Sequence, residues 1–313
     1  MKYNRFIRNH QMVSEIGLGT WQLGVNSGWK NMSDKEAINM VHFALDSGIN
    51  FFDTAPNYGH GTSEKRLGMG LKQTDRFKYI INTKFGHSDK GEINFDPRNI
   101  RNSLEGSLQR LQVDYVDSLI LHNPPYNLLD GNQNPHYEIL ERLKEEGKIN
   151  AYGASLDTYE EMKLFMETTN GQIIEAFFNI LHQDTARAFD MALKKEIAII
   201  VKIPLDSGWL SGKYSSLSTF DGIRKRWSQN DIRIRGTLIE KLNKIIGDQN
   251  KLAQVAILFC LSYDAVATVI PGNTTISQLQ NNLSYTKESI SPEMIEKLEN
   301  FYQNEVKHQS LPW

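Results

Sequence analysis

Four residues of types that carry proton chemistry lie in the first half of the 313-residue chain. Asp53, Lys84 and His122 each end a short, largely apolar stretch, and Tyr58 follows Asp53 by five residues. A lysine at a buried strand end needs a counter-charge, which Asp53 could provide. A neighbouring ammonium lowers the pKa of a phenol and eases its proton donation. The four residues together predict an acid–base site with Tyr58 as general acid.

Each of these residues also has a purely structural interpretation when it is taken alone. Asp53 could cap a turn, Tyr58 could pack on a rim, and Lys84 and His122 could be ordinary strand-end residues. If the four meet, His122 can hydrogen bond to a substrate oxygen and polarise its carbonyl. A polarised carbonyl beside a proton donor still needs a hydride, and no side chain supplies one. The chemistry therefore implies a nicotinamide cofactor.

The elements that must position these residues alternate regularly along the chain. Amphipathic segments separate eight short apolar runs, which are predicted to end near Thr20, Asp53, Lys84, His122, Ser155, Phe178, Lys202 and Ile270. Eight strand–helix alternations without a long linker predict a (β/α)₈ TIM barrel. The carboxyl ends of all eight strands then share one face, where the four residues become neighbours.

Helix start signals and turn composition support this architecture. Residues 33–36 and 157–160 read as capping patterns, and Pro97 and Pro135 open further helices. The alternative is an open doubly wound sheet, but the turn 17–21 lacks the later glycine of a dinucleotide fingerprint. We expect one domain over residues 1–313, with a long loop after strand 7 (about 206–233) and a carboxyl-terminal helix and tail (about 291–313).

Composition excludes several classes of protein. With 35 Lys and Arg against 37 Asp and Glu, the chain has no basic surplus for nucleic acid. No apolar stretch approaches the roughly 18 to 20 residues of a membrane span. The single cysteine, Cys260, lies in an apolar segment and permits no intrachain disulfide, which suits a reducing compartment. Together with an amino terminus that lacks a signal-peptide core, this predicts a cytoplasmic protein.

Six segments in a fixed order carry a specific resemblance over nearly the whole chain. They are GLGTWQLG, FFDTAPNYG, INTKFG, VDYVDSLILHNPP, IPLDSGWLSGKY and VIPGNTTISQLQNN. The chain resembles the aldo-keto reductase superfamily, in particular its bacterial NAD(P)H-dependent oxidoreductases. The resemblance implies a (β/α)₈ barrel that binds NADPH, or less often NADH, without a Rossmann domain and without a metal. It also implies a catalytic tetrad formed by Asp53, Tyr58, Lys84 and His122.

The resemblance further implies a cofactor site that runs across the barrel mouth. Thr20, Trp21 and Asp53 would approach the nicotinamide, and Ser155 and Glu175 would hold its carboxamide. The remaining implied contacts are with the pyrophosphate (Leu205, Ser207 and Lys213) and the adenosine (Gly272, Thr274, Gln278, Asn281 and Asn282). The residues themselves support an anion-binding helix start after the Pro-Gly turn 271–272 about as well as an ordinary capped helix.

The chain departs from the family pattern near the implied nicotinamide. Leu156 stands where many members have Asn, and Glu175 stands where Gln is usual. A carboxylate can accept a hydrogen bond from the carboxamide NH₂ but cannot donate one to its oxygen. Lys202 occupies the position of a stacking aromatic residue, a basic choice that some bacterial members share. Asn123 follows the histidine where Asp is common.

The cofactor preference is finely balanced. Thr274 stands where many NADPH-preferring members carry a basic residue, and a 2′-phosphate wants a charge-assisted partner. Arg224 and Arg226, on the long loop after strand 7, could supply that charge if the loop folds over the adenosine. We therefore slightly favour NADPH over NADH.

The substrate mouth is predicted from aromatic and amide residues. It would comprise Trp21, Trp29, Tyr58, His122, Asn123 and the rest of the loop 123–134, Trp209 and the tail 311–313. Such a mixture suits a sugar-like carbonyl.

The leading prediction is an NAD(P)H-dependent reductase of aldehydes or ketones, which acts on a small-molecule partner. The alternative of the same fold is a cofactor-binding, redox-sensing module with little turnover. A metal-dependent barrel hydrolase would need a His-x-His pair or a Glu/His ligand cluster at strand ends, and the first strand offers neither. The sequence predicts neither the natural substrate nor the oligomeric state.

Overall fold

A computed structural model describes residues 1–6, 11–25 and 31–312 of the chain. Eight of its ten strands form one parallel sheet in which each strand pairs with the next along the chain. The strands are β1 (Tyr3–Arg5), β2 (Met12–Ser14), β3 (Leu18–Gly19), β4 (Phe51–Asp53), β5 (Ile80–Phe85), β6 (Val116–Leu121), β7 (Ile149–Leu156), β8 (Ile173–Phe177), β9 (Ala198–Lys202) and β10 (Val266–Ile270).

The first and last strands of this sheet meet and close it into a barrel. Ile16, just before β3, forms a parallel bridge with Val269 of β10. The Gly17 N–H donates to the Val269 carbonyl, and the Val269 N–H donates to the Glu15 carbonyl, both at 2.9 Å. The predicted (β/α)₈ barrel is therefore confirmed, and its strands end within about a residue of the predicted positions, a precision better than pattern reasoning normally gives.

Ten helices surround the barrel within the described residues. They are α1 (Asp34–Asp46), α2 (Thr62–Leu71), α3 (Ile100–Leu111), α4 (His136–Glu145), α5 (Tyr159–Thr168), α6 (Phe189–Lys194), α7 (Gln229–Ile246), α8 (Leu252–Leu261), α9 (Ile276–Tyr285) and α10 (Pro292–Phe301). None of the helices in this part of the chain has the length and apolarity to cross a membrane.

The four predicted helix start signals lie at the amino ends of α1, α3, α4 and α5. Ser33 and Glu36 form a reciprocal capping box at α1. At α5 the box is shifted by one residue from the predicted pattern, because Thr158 is the cap and Glu161 its partner. Pro97 opens a short 3₁₀ turn that leads into α3 at Ile100.

An antiparallel hairpin that the sequence reasoning did not predict covers the amino ends of the barrel strands. Strand β1 pairs with β2, and the buried Phe6 contacts Phe51, the first residue of β4, with ring centroids 5.3 Å apart. Phe6 and Val13 belong to a buried cluster with Ile80 and Ile173, which begin β5 and β8. This end of the barrel is therefore closed by apolar packing.

The long loop after β9 is shorter than predicted and folds compactly. We call residues 203–228 the strap. It contains two 3₁₀ segments, Asp206–Ser211 and Gly222–Arg226, and it ends at Ser228, which caps α7 by accepting from the Asp231 N–H. The loop thus ends at Ser228, five residues before its predicted end at about 233. At the carboxyl end, α10 continues into a π-helical turn, Tyr302–Val306.

Candidate active site

The carboxyl ends of β4 and β5 bring Asp53 and Lys84 together in the barrel interior, where both side chains are almost fully buried. The Lys84 ammonium donates to Asp53 Oδ1 at 2.5 Å and to the Thr54 carbonyl at 3.2 Å. Burial alone would lower the pKa of Lys84. The carboxylates around it reverse that effect and hold the pKa above its ordinary value, so the lysine is charged, as predicted.

A second carboxylate shares this ammonium. Glu175 Oε2 lies 3.0 Å from Lys84 Nζ, and its side chain is 3% exposed. The Asn82 amide donates to Asp53 Oδ1 at 2.7 Å and faces Glu175 Oε2 at 3.4 Å. Glu175 was expected to hold a carboxamide, yet in the structure it acts as a counter-ion. Burial and then the Glu175 charge raise the pKa of Asp53 to about 7, which Lys84 only partly opposes.

Tyr58 lies directly above this cluster. Its ring centroid is 5.3 Å from Lys84 Nζ, 5.9 Å from the ring of His122 and 6.1 Å from the stacked ring of Trp21. The four predicted catalytic residues are therefore gathered in one place. The expected lowering of the Tyr58 pKa is wrong, because burial raises it above its ordinary value and Lys84 only partly offsets that effect. The phenol is consequently neutral and holds its proton.

Hydrogen bonds fix the loop that carries Tyr58. Thr20 Oγ1 donates to the Asp53 carbonyl at 2.8 Å, and Ser63 Oγ donates to the Thr20 carbonyl at 2.7 Å. Gly59 has a φ of +58°, and a Cβ there would collide with the backbone of residues 24 and 25. These contacts hold both ends of the loop at Thr20 and its middle against residues 24 and 25, and so support the position of the phenol near Lys84.

His122 follows β6 and lines the same cavity as Tyr58. Burial, reinforced by the Lys84 charge, holds the pKa of His122 well below its ordinary value. Its Nδ1 atom is buried and has no hydrogen-bond partner among the described residues. A neutral imidazole at this point can hydrogen bond to a bound oxygen without competing for the phenol proton.

Lys202 organises the neighbouring strand ends. Its ammonium donates to Ser155 Oγ at 2.8 Å and Asn123 Oδ1 at 3.1 Å, and it forms an ion pair with Asp157 Oδ1 at 2.7 Å. Asn123 also donates to Asp157 Oδ2 at 3.0 Å. These contacts connect the loops after β6 and β7 to the end of β9.

A cavity of about 810 Å³ extends from Tyr58 to α9. The predicted site residues that line it are Trp21, Asp53, Tyr58, His122, Asn123, Glu175, Lys202, Leu205, Ser207, Lys213, Gly272, Thr274, Gln278, Asn281 and Asn282. Thr20, Lys84 and Ser155 are buried and do not line it. Trp29 and position 313 lie outside the described residues. The expectation that Trp209 faces substrate is wrong, because Trp209 is fully buried.

Several lining residues were missed by the sequence reasoning. His87 lies two residues beyond β5, and its ring is 4.7 Å from that of His122. Gln22 and Asn57 flank the predicted Trp21 and Tyr58, and Tyr285 ends α9 at the far side of the cavity. His87 and Asn57 could have been found by searching every loop that follows a strand for polar residues, since that face carries the chemistry of barrel enzymes.

The strap is anchored by a buried ion pair. Asp206 and Arg235 are both fully buried, with Arg235 Nε 3.2 Å from Asp206 Oδ2. His182 Nε2 lies 3.4 Å from Asp206 Oδ1. Arg235 also donates to the Pro312 carbonyl at 2.8 Å, as does Trp227 Nε1 at 3.1 Å. The carboxyl-terminal tail is therefore attached behind the strap.

The far end of the cavity is formed by the turn before α9 and by the strap. Gln278 accepts hydrogen bonds from both the backbone N–H and the hydroxyl of Thr274, at 2.8 and 2.9 Å. Opposite them, Arg224 donates to the Tyr214 hydroxyl at 2.7 Å. A guanidinium on the strap thus faces the same cavity as the start of α9.

The profile of the Aldo/keto reductase family matches residues 15–303. The chain belongs to the aldo-keto reductase family. This membership makes it an oxidoreductase of barrel fold, as the motifs had indicated.

Individual relatives agree with this assignment. The chain is 28% identical to the NADH-specific methylglyoxal reductase of Escherichia coli K12, over 92% of this chain and 96% of the relative. It is 29% identical to the L-galactose dehydrogenase of Arabidopsis thaliana, over 88% and 85%. The solved holo form of the aldo-keto reductase AKR11C1 from Bacillus halodurans superimposes with a TM-score of 0.82 and 26% identity, and the match covers both chains completely.

The family acts without a metal, and the site contains no evident place for one. Within residues 1–6, 11–25 and 31–312, no three His, Cys, Asp or Glu side chains are grouped so that they could hold a metal ion.

Proposed function

We propose that the protein is an NAD(P)H-dependent reductase of aldehydes or ketones, with Tyr58 as general acid. One observation carries the proposal: the ring centroid of the partly buried Tyr58 lies 5.3 Å from the Lys84 ammonium and 5.9 Å from the His122 ring, and the phenol and the imidazole line one cavity. This arrangement offers a carbonyl oxygen a proton donor and a second hydrogen-bonding group.

Each residue has a distinct task in this proposal. Tyr58 donates its proton to the oxygen that develops negative charge, and Lys84 stabilises the phenolate that remains. His122 orients the oxygen, and its neutral form prevents it from protonating the substrate in place of Tyr58. Asp53 holds Lys84 in position through the 2.5 Å contact. The bound dinucleotide would supply the hydride.

The cavity supports a dinucleotide of this kind. Its volume of about 810 Å³ lies within the usual range for ligand sites, and it extends from Tyr58 to the start of α9. Glu175 and Lys202 line it together with Tyr58, and Ser207, Lys213 and Arg224 line it from the strap. Because the Arg224 guanidinium offers a 2′-phosphate a charged partner, we slightly favour NADPH over NADH, although the Escherichia coli relative is named as NADH-specific.

The residues around the catalytic end support a small polar substrate. Trp21 provides an aromatic face, while Asn57, His87 and Asn123 provide hydrogen-bonding groups. Relatives named for methylglyoxal and L-galactose both act on small oxygenated molecules. We therefore propose a short or sugar-like carbonyl as substrate. The single buried thiol, Cys260, supports a reducing compartment such as the cytoplasm.

Tyr58→Phe tests the assignment directly. We expect kcat for aldehyde reduction to fall by roughly 10²- to 10⁴-fold, the range for loss of a general acid. Dinucleotide affinity, measured by protein fluorescence, should change less than threefold, because the ring and its stacking on Trp21 remain.

Tyr3→Phe is the matched control, since this tyrosine is exposed on β1 and does not line the cavity. It should retain full activity. Normal turnover by Tyr58→Phe would refute the role of Tyr58. If the unmodified protein binds dinucleotide tightly but turns over no carbonyl in a broad panel, the enzymatic proposal fails.

A further inference from the structure

Glu175 gives the buried cluster one more negative charge than positive charge. Lys84 is the cation that both Asp53 and Glu175 contact, at 2.5 and 3.0 Å, and all three side chains are at most 3% exposed. Burying an uncompensated charge is costly, and a proton taken up by the cluster removes it. The usual glutamine at position 175 would leave the Lys84–Asp53 pair already neutral.

Among the described residues, the ion pairs of Glu175 include no second cation. The charged or titratable groups that contact the cluster or line the cavity beside it are Asp53 on β4, Tyr58 on the following loop, Lys84 on β5, His87 after β5, His122 after β6 and Lys202 on β9. His122 is neutral, and the Lys202 charge is paired with Asp157 at 2.7 Å. Asn82 and Ser118 are polar but carry no charge.

Hydrogen bonds from Asn82 hold the two carboxylates beside each other's partners. Ser118 Oγ donates to Asn82 Oδ1 at 2.6 Å, which orients the Asn82 NH₂ group toward both carboxylates. The carboxylates of Asp53 and Glu175 are thus held on one ammonium and beside one amide. Two like charges held on one ammonium repel each other, and after burial the Glu175 charge is the main cause that raises the pKa of Asp53 above its ordinary value.

We propose that the carboxyl groups of Asp53 and Glu175, which both contact Lys84, hold one proton between them. We call it the shared proton, and propose that it replaces the proton that Tyr58 donates to the substrate. The proposal rests on the proposed reductase function for its second half. After Tyr58 protonates the substrate oxygen, the Lys84 ammonium gives a proton to the phenolate. The shared carboxyl proton then passes to the Lys84 amine. The step ends with a neutral phenol, an ammonium and two carboxylates, so it is balanced without a proton from solvent.

The first test is made on the ligand-free protein and does not depend on activity. At pH 6 the exposed carboxyl groups are ionised, so infrared absorption by a protonated carboxyl group reports the cluster. We expect the unmodified protein to show this band at pH 6 and to lose it by pH 8, as a group with a pKa of about 7 would.

Glu175→Gln should remove the band, since Asp53 alone beside Lys84 is then ionised. Glu146→Gln, which changes an exposed ion pair with Arg101, should leave the band unchanged. Absence of the band from the unmodified protein at pH 6, or its persistence in Glu175→Gln with the same titration, would overturn the shared proton.

The second test measures kcat for reduction between pH 6 and pH 8. We expect kcat of the unmodified protein to fall roughly tenfold over this window, as the shared proton is lost. In Glu175→Gln, kcat should vary less than twofold over the window, with KM unchanged. Equal pH profiles would overturn the transfer to Tyr58. A protein without turnover on any carbonyl contradicts the reductase function, while the infrared band still decides the shared proton.

Discussion

Replacement of Arg235 by Met should remove the ion pair that anchors the strap to α7. The resulting loss of unfolding free energy can be worked out from the structure. Arg235 and Asp206 are both fully buried and pair at 3.2 Å. Removing one partner of a buried pair leaves an uncompensated charge and typically costs about 3 to 5 kcal/mol. Arg235→Met also removes the donor to the Pro312 carbonyl at 2.8 Å, so we expect the loss of unfolding free energy at pH 7 to lie toward the upper end of that range.

The pH dependence of this loss has a definite sign. Burial raises the pKa of Asp206, but His182 and Arg235 together lower it by more than burial raises it. The pKa of Asp206 in the folded protein is therefore below its ordinary value. The stability that this carboxylate contributes is therefore present above its unfolded pKa and is lost as the pH falls through its folded pKa. The difference in unfolding free energy between Arg235→Met and the unmodified protein should be largest near neutral pH and should become smaller under acid conditions.

Urea unfolding at pH 7 and at pH 3, which is below the unfolded pKa of the carboxyl group, provides the measurement. Arg233→Met is the matched control, because Arg233 is exposed on the same helix and donates only to Asn230 among its described hydrogen bonds. It should cost less than about 0.5 kcal/mol, as surface substitutions do. A cost below about 1 kcal/mol for Arg235→Met at pH 7 would refute the assignment of Arg235 and Asp206 as the anchor, since it would match an exposed pair.

Two further predictions concern the cavity. Arg224→Gln should weaken NADPH binding by about tenfold or more, equivalent to about 1.4 kcal/mol, and leave NADH binding nearly unchanged; titration of the two cofactors checks this, and equal losses would exclude a 2′-phosphate contact. Lys202→Met should lower the unfolding free energy by roughly 1 to 3 kcal/mol, because the buried Ser155 hydroxyl loses its charged partner and the contact with the exposed Asn123 is lost as well; thermal unfolding checks this, and an unchanged transition would show that the network does not join these loops.

The barrel and the positions of the four proposed catalytic residues were predictable because both follow from local pattern. Apolar runs that end at Asp53, Lys84 and His122 mark parallel strands, and parallel strands in a closed barrel present their carboxyl ends together. No distant contact had to be known. Capping at Ser33 was equally readable, because a cap and its partner lie three residues apart, whereas the pattern at α5 was predicted one residue too early.

The parts that could not be predicted depend on contacts between distant segments. Glu175 meets Lys84 across the barrel interior, and nothing in either local sequence records that approach. The same holds for the pKa of Tyr58: the neighbouring ammonium was foreseen, but the larger effect of burial was not. Trp209 was assigned to the mouth by its type, whereas the strap turns it into the core, against Tyr214 and Trp227.

The hairpin at the amino ends of the strands determines how the interior communicates with solvent. Phe6 and Val13 cover that end and belong to one buried apolar cluster with Phe51, Ile80 and Ile173. Among the described residues, we therefore expect water and protons to enter past Tyr58, through the cavity that a substrate would occupy. We expect the buried carboxyl groups to regain a proton from solvent only when that cavity is vacant. The proton would then be replaced after the product leaves and before the next substrate binds.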